Sequence, residues 1–362
     1  MKTEQLTRAE CNALRGIAII GIFLHNYCHW LNPIVKENEY TFSQKNVDWL
    51  NQVLIGMDGK ILAHLLSFFG HYGVPVFLFL SAYGLVMKYE QRNQSLHATT
   101  RYHFIRYHFL KLFKMMIVGF VAFTMVDDIT IGQHHYQFID VVAQLLMFNN
   151  VLPDPDHIIW PGPYWFFGLM LQLYLVYRLF LYRRHWGWTV GLMVACVVIQ
   201  MCLAPEGDAL NRYRYNFMGG MLPFGFGLLY ARYWHRSLSR GNLWGLLVLS
   251  LCADYLFSLN FYLWTFVPVW ICLGSIAFVQ LINPTGGQSL RSGIKERVFH
   301  PLEWVGTISA ALFVCHPITR KIFIPISREG DIYTGLLLYI VASVCLAWLF
   351  KEVIKRIPSP KP

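Results

Sequence analysis

An arginine and a histidine ten residues apart frame the first apolar run of this chain. Arg15 stands near the head of ALRGIAIIGIFLHN and His25 lies inside it. On a helix ten residues make about 2.8 turns, so the two side chains fall within about 80° of one face and roughly 15 Å apart along the axis. That places His25 near the middle of a bilayer. Two structural readings compete with a chemical one: Arg15 as a snorkelling charge at the membrane surface, and His25 as a packed histidine bonded to a neighbouring helix. Ionisable groups at such depth nevertheless favour a polar cavity, where a histidine handles protons. His29 follows at i+4 on the same face, nearer the far end of the helix, and is the weaker candidate.

Four further stretches carry polar groups inside apolar surroundings. HYGVPVFLFLSAYGL sets Ser81 and Ala82 where another backbone could approach closely. TTRYHFIRYHFLKLFKMM alternates aromatics with basic residues, among them Arg106 and Lys111, a composition that suits anionic lipid or the phosphates of a soluble ligand. PYWFFGLMLQLYLVY holds Trp165 and Tyr174, and ISAALFVCHP holds Ser309, His316 and Pro317. Asp254 and Glu303 are acids in or beside later apolar runs. The eight cysteines are scattered without CxxC or zinc-type spacing, so neither a disulfide framework nor a metal site is expected. GxSxG, Walker, GxGxxG and HExxH motifs are missing, which argues against the common soluble enzyme classes.

The elements that must position these groups are membrane helices. Of 362 residues 56% are hydrophobic and only 14% charged, where a soluble domain carries about a quarter. Apolar stretches long enough to cross a bilayer recur at 14–32, 64–87, 108–126, 163–182, 187–204, 216–234, 243–259, 262–282, 302–324 and 332–350, and predict an all-α polytopic protein of one domain with ten spans. The first, which lacks a small-residue cleavage site, reads as a retained helix. With both termini in the cytoplasm, 22 of the 30 lysines and arginines fall on the cytoplasmic side, whereas the segment from Asp127 to Pro163 has five aspartates and no basic residue. The net charge of +10 is therefore topological, and no nucleic-acid partner is expected. The stretch 138–150 is too short to span and reads as interfacial or re-entrant. The expected external segments 33–63 and 127–162 are long, and loops of that kind often hold binding groups; aromatic-belt packing is the alternative for the second.

Taken in order, these motifs resemble the membrane acyltransferase 3 family. The resemblance rests on LRGIA with a downstream histidine, on Val74-Pro75 to Ser81-Ala82, on the basic segment with Arg106 and Lys111, on Trp165 with Tyr174 nine residues later, and on Ser309 with His316-Pro317. It covers nearly the whole chain. Members of that family move an acyl group, commonly acetyl from cytoplasmic acyl-CoA, onto hydroxyls of cell-surface glycans or other acceptors. The resemblance implies that His25 is catalytic, that Arg15, Arg106 and Lys111 bind the donor, and that His29, Ser81, Trp165, Tyr174, Ser309 and His316 belong to the cavity. Acyl-CoA would be a substrate with no tightly bound cofactor beside it, and the acceptor a glycan or lipid-linked sugar in the inner membrane. Two departures matter. The interval from Arg15 to His25 is one residue shorter than usual, a rotation of about 100° that leaves His29 as an alternative base. Met170 and Leu171 replace an acidic pair that some members carry after the tryptophan. His25 would then act either as general base toward the acceptor hydroxyl or through a transient acyl-histidine. A proton-coupled transporter or flippase, with His25 and His316 as a relay, is the alternative from another class, and a non-catalytic scaffold a third.

Overall fold

The computed structural model describes residues 6–91, 100–283, 293 and 295–360. Lys2, Arg92, Arg291 and Lys361, which enter the charge count, lie outside them. The described residues are helical without strands, and each of the ten apolar stretches lies on a helix. These are α1 (Arg8–Cys28), then, after the short α2 (Gln44–Gly56), α3 (Ile61–Gln91), α4 (Arg101–Asp128), the short α5 (Phe138–Leu145), α6 (Gly162–Leu181), α7 (Trp186–Met201), the short α8 (Asp208–Tyr215), α9 (Phe217–Tyr233), α10 (Arg240–Ser258), the single turn α11 (Phe261–Trp264), α12 (Val267–Ile282), α13 (Lys295–Glu329) and α14 (Ile332–Arg356). Six of them, α3, α4, α6, α10, α13 and α14, are long and apolar enough to cross a membrane, and α7 and α12 are shorter apolar helices. This is a multi-pass membrane protein. The only α-helix in the stretch 138–150 is α5, whose eight residues reach about 12 Å and cannot cross; Phe138 and Ile139 stay exposed while Asp140 and Gln144 are buried.

α1 starts on a reciprocal cap: Thr7 Oγ1 accepts from Glu10 N at 3.2 Å, and Thr7 N donates to the Glu10 carboxylate at 2.8 Å. Its most extensive packing is against α13, which in turn packs on α14. The approach of α1 and α13 is so close that a Cβ on Gly16 would lie 2.1 Å from Leu302 O, and one on Gly306 1.8 Å from Asn12 O. Only glycine permits that contact.

The two ends of the bundle differ. At one end Leu6 N donates to Tyr83 Oη at 3.1 Å, Lys114 to Ser359 at 3.1 Å, and Arg232 grips Glu90 through two bonds of 2.8 and 2.9 Å. Tyr177 Oη donates to the same carboxylate at 2.9 Å. At the other end Arg320 meets Asn26, Lys321 pairs with Asp127, Tyr255 bonds Asn51 and Tyr333 bonds Gly59 O. The first is the basic end, gathering the described residues that charge counting assigns to one side; the second gathers the long loops.

Candidate functional site

Two cavities lie between α1, α3, α4, α6 and α13. The inner one, about 460 Å³, is lined by Arg15 and Asn12 of α1, Ser81 of α3, His108 and Lys111 of α4, Tyr174 of α6 and Ser309 of α13. A second groove with Arg8, Arg15 and Lys88 on its walls continues it toward the basic end. Arg15 Nη1 donates to Asn12 Oδ1 at 2.9 Å, and neither Arg15 nor Lys111 has an acid partner among the described residues. His108 lies against Tyr174, ring centroids 4.4 Å apart. Arg106 is exposed and lines neither cavity. The helix explains why: five residues set it about 140° away from Lys111, whereas His108, at three residues, shares the Lys111 face. The structure therefore does not bring Arg106 and Lys111 into one cavity, and His108 stands beside Lys111 in its lining.

The outer cavity holds about 100 Å³ and takes its polar lining from His25, Asn26 and His29 of α1, Glu37 and Glu39 of the following loop, Asp156, and Arg320 of α13. His25 occupies the last turn of α1 and is 3% exposed because the following chain folds over it. The cover is the segment after α1. Val35 N donates to His64 Nδ1 at 3.0 Å, Ser67 Oγ donates to Val35 O at 2.6 Å, Trp264 Nε1 donates to Asn38 O at 3.0 Å and Arg214 Nε donates to Glu39 O at 2.5 Å. Anchored from three sides, this segment brings two carboxylates onto the histidines of α1.

His25 Nδ1 lies 2.7 Å from Ser67 O. A carbonyl only accepts, so Nδ1 carries the proton and the neutral ring leaves Nε2 with its lone pair free. Nε2 stands 3.6 Å from Glu39 Oε2, close enough for an ion pair once the ring is protonated. His29 Nδ1 is 3.1 Å from Glu37 Oε1. Burial pushes the Glu39 carboxyl above the usual carboxylate range against the pull of His25. Burial acts on Glu37 too, but His29 and His25 hold that carboxyl below the usual range. The loop thus places a carboxylate beside His25, where Met170 and Leu171 offer none. His25, His29 and Glu37 also bring ligand atoms within 4.8 Å of one another, a set that could hold a metal ion, as could Asp154, Asp156 and His157. Cysteine and histidine spacing does not detect the first set, because its ligands come from a helix and a loop.

Trp165 lines the outer cavity and packs edge-on against Tyr40 at 5.4 Å. His316 lines neither cavity: it is wholly buried within α13, with Nδ1 at 3.1 Å from Leu312 O and Nε2 unpartnered. Phe166 and Phe313, 5.2 Å apart by ring centroid, border both cavities and separate them. Sequence reasoning missed Glu37, Glu39, His108 and Arg320. Arg320 alone gave a signal, being an arginine inside an apolar helix, four residues after His316.

A family model described as an acyltransferase domain matches residues 8–352, which include every lining residue named above. The chain belongs to the acyltransferase 3 family. Neither a curated protein nor a solved structure matches it. As an acyltransferase 3 protein it is a membrane acyltransferase, and the resemblance seen in its motifs holds over nearly the whole chain. In this family member the helix 1 histidine and the basic residues fall into separate, abutting cavities.

Proposed function

We propose that this protein transfers an acyl group, acetyl in the first instance, from cytoplasmic acyl-CoA to a hydroxyl of a cell-surface glycan or lipid-linked sugar. It would do so in the inner membrane of a bacterium, with ten crossings and both termini in the cytoplasm. The observation that supports this reading is the contact of the two cavities across Phe166 and Phe313. A CoA donor is a polyanion joined by a long neutral arm to a thioester. Arg8, Arg15, Lys88 and Lys111 along the inner cavity and its groove suit the polyanion, because charge-assisted bonds to phosphate oxygens are strong. The arm would run between the two phenylalanines and bring the thioester to His25.

In the proposed reaction His25 Nε2 takes the proton of the acceptor hydroxyl while the oxygen attacks the thioester carbonyl. The tetrahedral intermediate collapses with cleavage of the C–S bond, and the departing thiolate takes the proton back from the imidazolium. An ester and a free thiol result. Glu39, ionised, stabilises the imidazolium between the two steps. Positioned base catalysis supplies about 10² to 10⁴-fold, and the remainder comes from holding the reactants together and from exclusion of water by the aromatic lining. The test is to incubate purified protein with labelled acetyl-CoA and membrane glycolipid and follow free thiol and label. Label in the glycolipid fraction is the expected result; no thiol release above a His25→Gln control would sink the reading.

A further inference from the structure

Arg320 is a buried cation that makes no ion pair among the described residues. It lies on α13, is 5% exposed and lines the outer cavity. Its guanidinium sits 5.1 Å from the Trp30 ring and 6.0 Å from the Trp160 ring. Its hydrogen bonds run from Nη1 to Asn26 O at 3.3 Å and to Asn26 Oδ1 at 3.4 Å, two neutral and distant acceptors. Nε and Nη2 make no hydrogen bond among the described residues, which leaves one edge of the guanidinium fork unused.

The neighbouring acids are turned to other partners and not to Arg320. Glu37 faces His29 at 3.1 Å, Glu39 faces His25 at 3.6 Å, and Asp156 faces His157 at 3.1 Å. Lys321, the next residue on α13, pairs with Asp127, and Arg328 donates to Trp30 O. A guanidinium taken out of water without a counter-ion is costly, and the faces of two tryptophans offset only part of that cost. A planar fork with free donors is suited to a carboxylate or a phosphate, which it binds through two parallel bonds.

We propose that the acceptor carries an anionic group, a carboxylate or a phosphate, which Arg320 binds inside the outer cavity while the acceptor hydroxyl faces His25. The idea rests on reading the outer cavity as the acceptor site. It also gives the acids their place: paired with histidines, Glu37 and Glu39 do not neutralise Arg320, and they leave the side of the cavity under Trp30 and Trp160 to the anion. A neutral sugar would leave the guanidinium uncompensated when it displaced water.

The test uses the full-length protein in detergent and the fluorescence of Trp30, Trp160 and Trp165, all of which line the cavity. Methyl β-glucuronide and glucose 1-phosphate serve as anionic probes and methyl β-glucoside as the neutral one. The expected result is that one anionic probe binds about tenfold or more tightly than the glucoside, the effect of roughly one charge-assisted bond. Which of the two wins tells carboxylate from phosphate. Arg320→Gln should collapse the preference and Arg320→Lys keep part of it. Equal affinity for charged and neutral probes, no binding of either anion, or a preference that survives in Arg320→Gln would overturn the proposal. If Arg320→Gln does not fold, the wild-type ratio and Arg320→Lys decide. Acetyl-CoA hydrolysis without acceptor is followed in parallel: a loss in Arg320→Gln equal to the loss of transfer would assign Arg320 to the thioester carbonyl and overturn anion binding. Anion preference in a protein without CoA-dependent transfer would instead refute the acyl-CoA reading alone.

Discussion

In the inner cavity Arg15 and Lys111 face open space without an acid among the described residues, whereas in the outer cavity Glu37, Glu39 and Asp156 each stand against a histidine. The inner arrangement leaves its cations available to whatever enters, and it is wide and reached along a basic groove. The outer one is narrow, and its carboxylates are held by histidines, which fixes ring orientations before any ligand arrives, while Arg320 keeps free donors. On the proposed reading, one cavity binds and releases a charged donor and the other holds a proton acceptor in place. Phe166 and Phe313 keep the two apart.

The largest expected effect is all-or-none and concerns which cavity opens to which side. In a background whose exposed Cys202, Cys252 and Cys345 are serine, a cysteine at Ile131 should react with an impermeant thiol reagent applied outside the cell, and one at Tyr102 should not. Both side chains are exposed, at opposite ends of α4 and the turn that follows it. Asn150, in the same connection between α4 and α6, is buried and unsuited to the experiment. The reverse labelling would put the basic cavity on the outer side, away from cytoplasmic CoA.

Next in size is the loss of the proton acceptor. His25→Gln keeps a hydrogen-bonding side chain but cannot take up a proton, so acyl transfer should fall by about a hundredfold or more while CoA still binds. His29→Gln should cost far less, because His29 Nδ1 is engaged by Glu37 and its Nε2 is buried without a partner. If the two mutants exchange phenotypes, the shortened interval after Arg15 has moved the chemistry one turn along α1. Normal turnover in both would make the outer cavity a structural feature.

Breaking the inner cavity should act on affinity and not on turnover. Arg15→Ala or Lys111→Ala should raise the KM for acyl-CoA by about tenfold to a hundredfold, the range for a charge-assisted contact to phosphate. Arg106→Ala, facing away from the cavity, should change it by no more than about the twofold to fivefold of a surface charge. A KM effect of Arg106 as large as that of Lys111 would mean that the donor binds outside the inner cavity.

The comparison also explains how far the sequence could be read. Apolar length is a one-dimensional property, so an all-helical chain with several membrane-crossing helices and the short α5 was legible, six of the ten expected spans being long and apolar enough to cross, along with residues that helices present to one another at fixed spacing: Arg15, Ser81, Lys111, Tyr174 and Ser309 do line the inner cavity. Arg106 does not join that lining, since five residues from Lys111 do not return to the same face. The outer cavity was legible only in part. His25, His29 and Trp165 stand out as polar or amphipathic groups in apolar runs, but Glu37 and Glu39 lie in a polar segment where acids are ordinary. Nothing local says that Val35 is tied to His64 and Ser67, and that tie is what carries both carboxylates to α1.

The smallest effect tests how far the histidine pairing of the outer cavity extends to its rim. His157 Nδ1 lies 3.0 Å from Asp154 and 3.1 Å from Asp156, and only Asp156 lines the cavity. Chiefly through the bond to Asp156, and against the effect of burial, its pKa is raised from 6.5 to about 9. A histidine whose folded pKa lies above its unfolded one stabilises fully below the unfolded value and loses that contribution as the pH rises through the folded value. The window is therefore pH 6.5 to about 9. With the imidazole 56% exposed, solvent screening limits the contribution to the ~0.2 to 1 kcal/mol of a surface pair. Thermal midpoints of wild type and His157→Gln should accordingly differ by about 1 °C at pH 6 and converge by pH 10. A gap that persists at pH 10 would mean that His157 acts by packing, and that charge pairing stops at the buried histidines of α1.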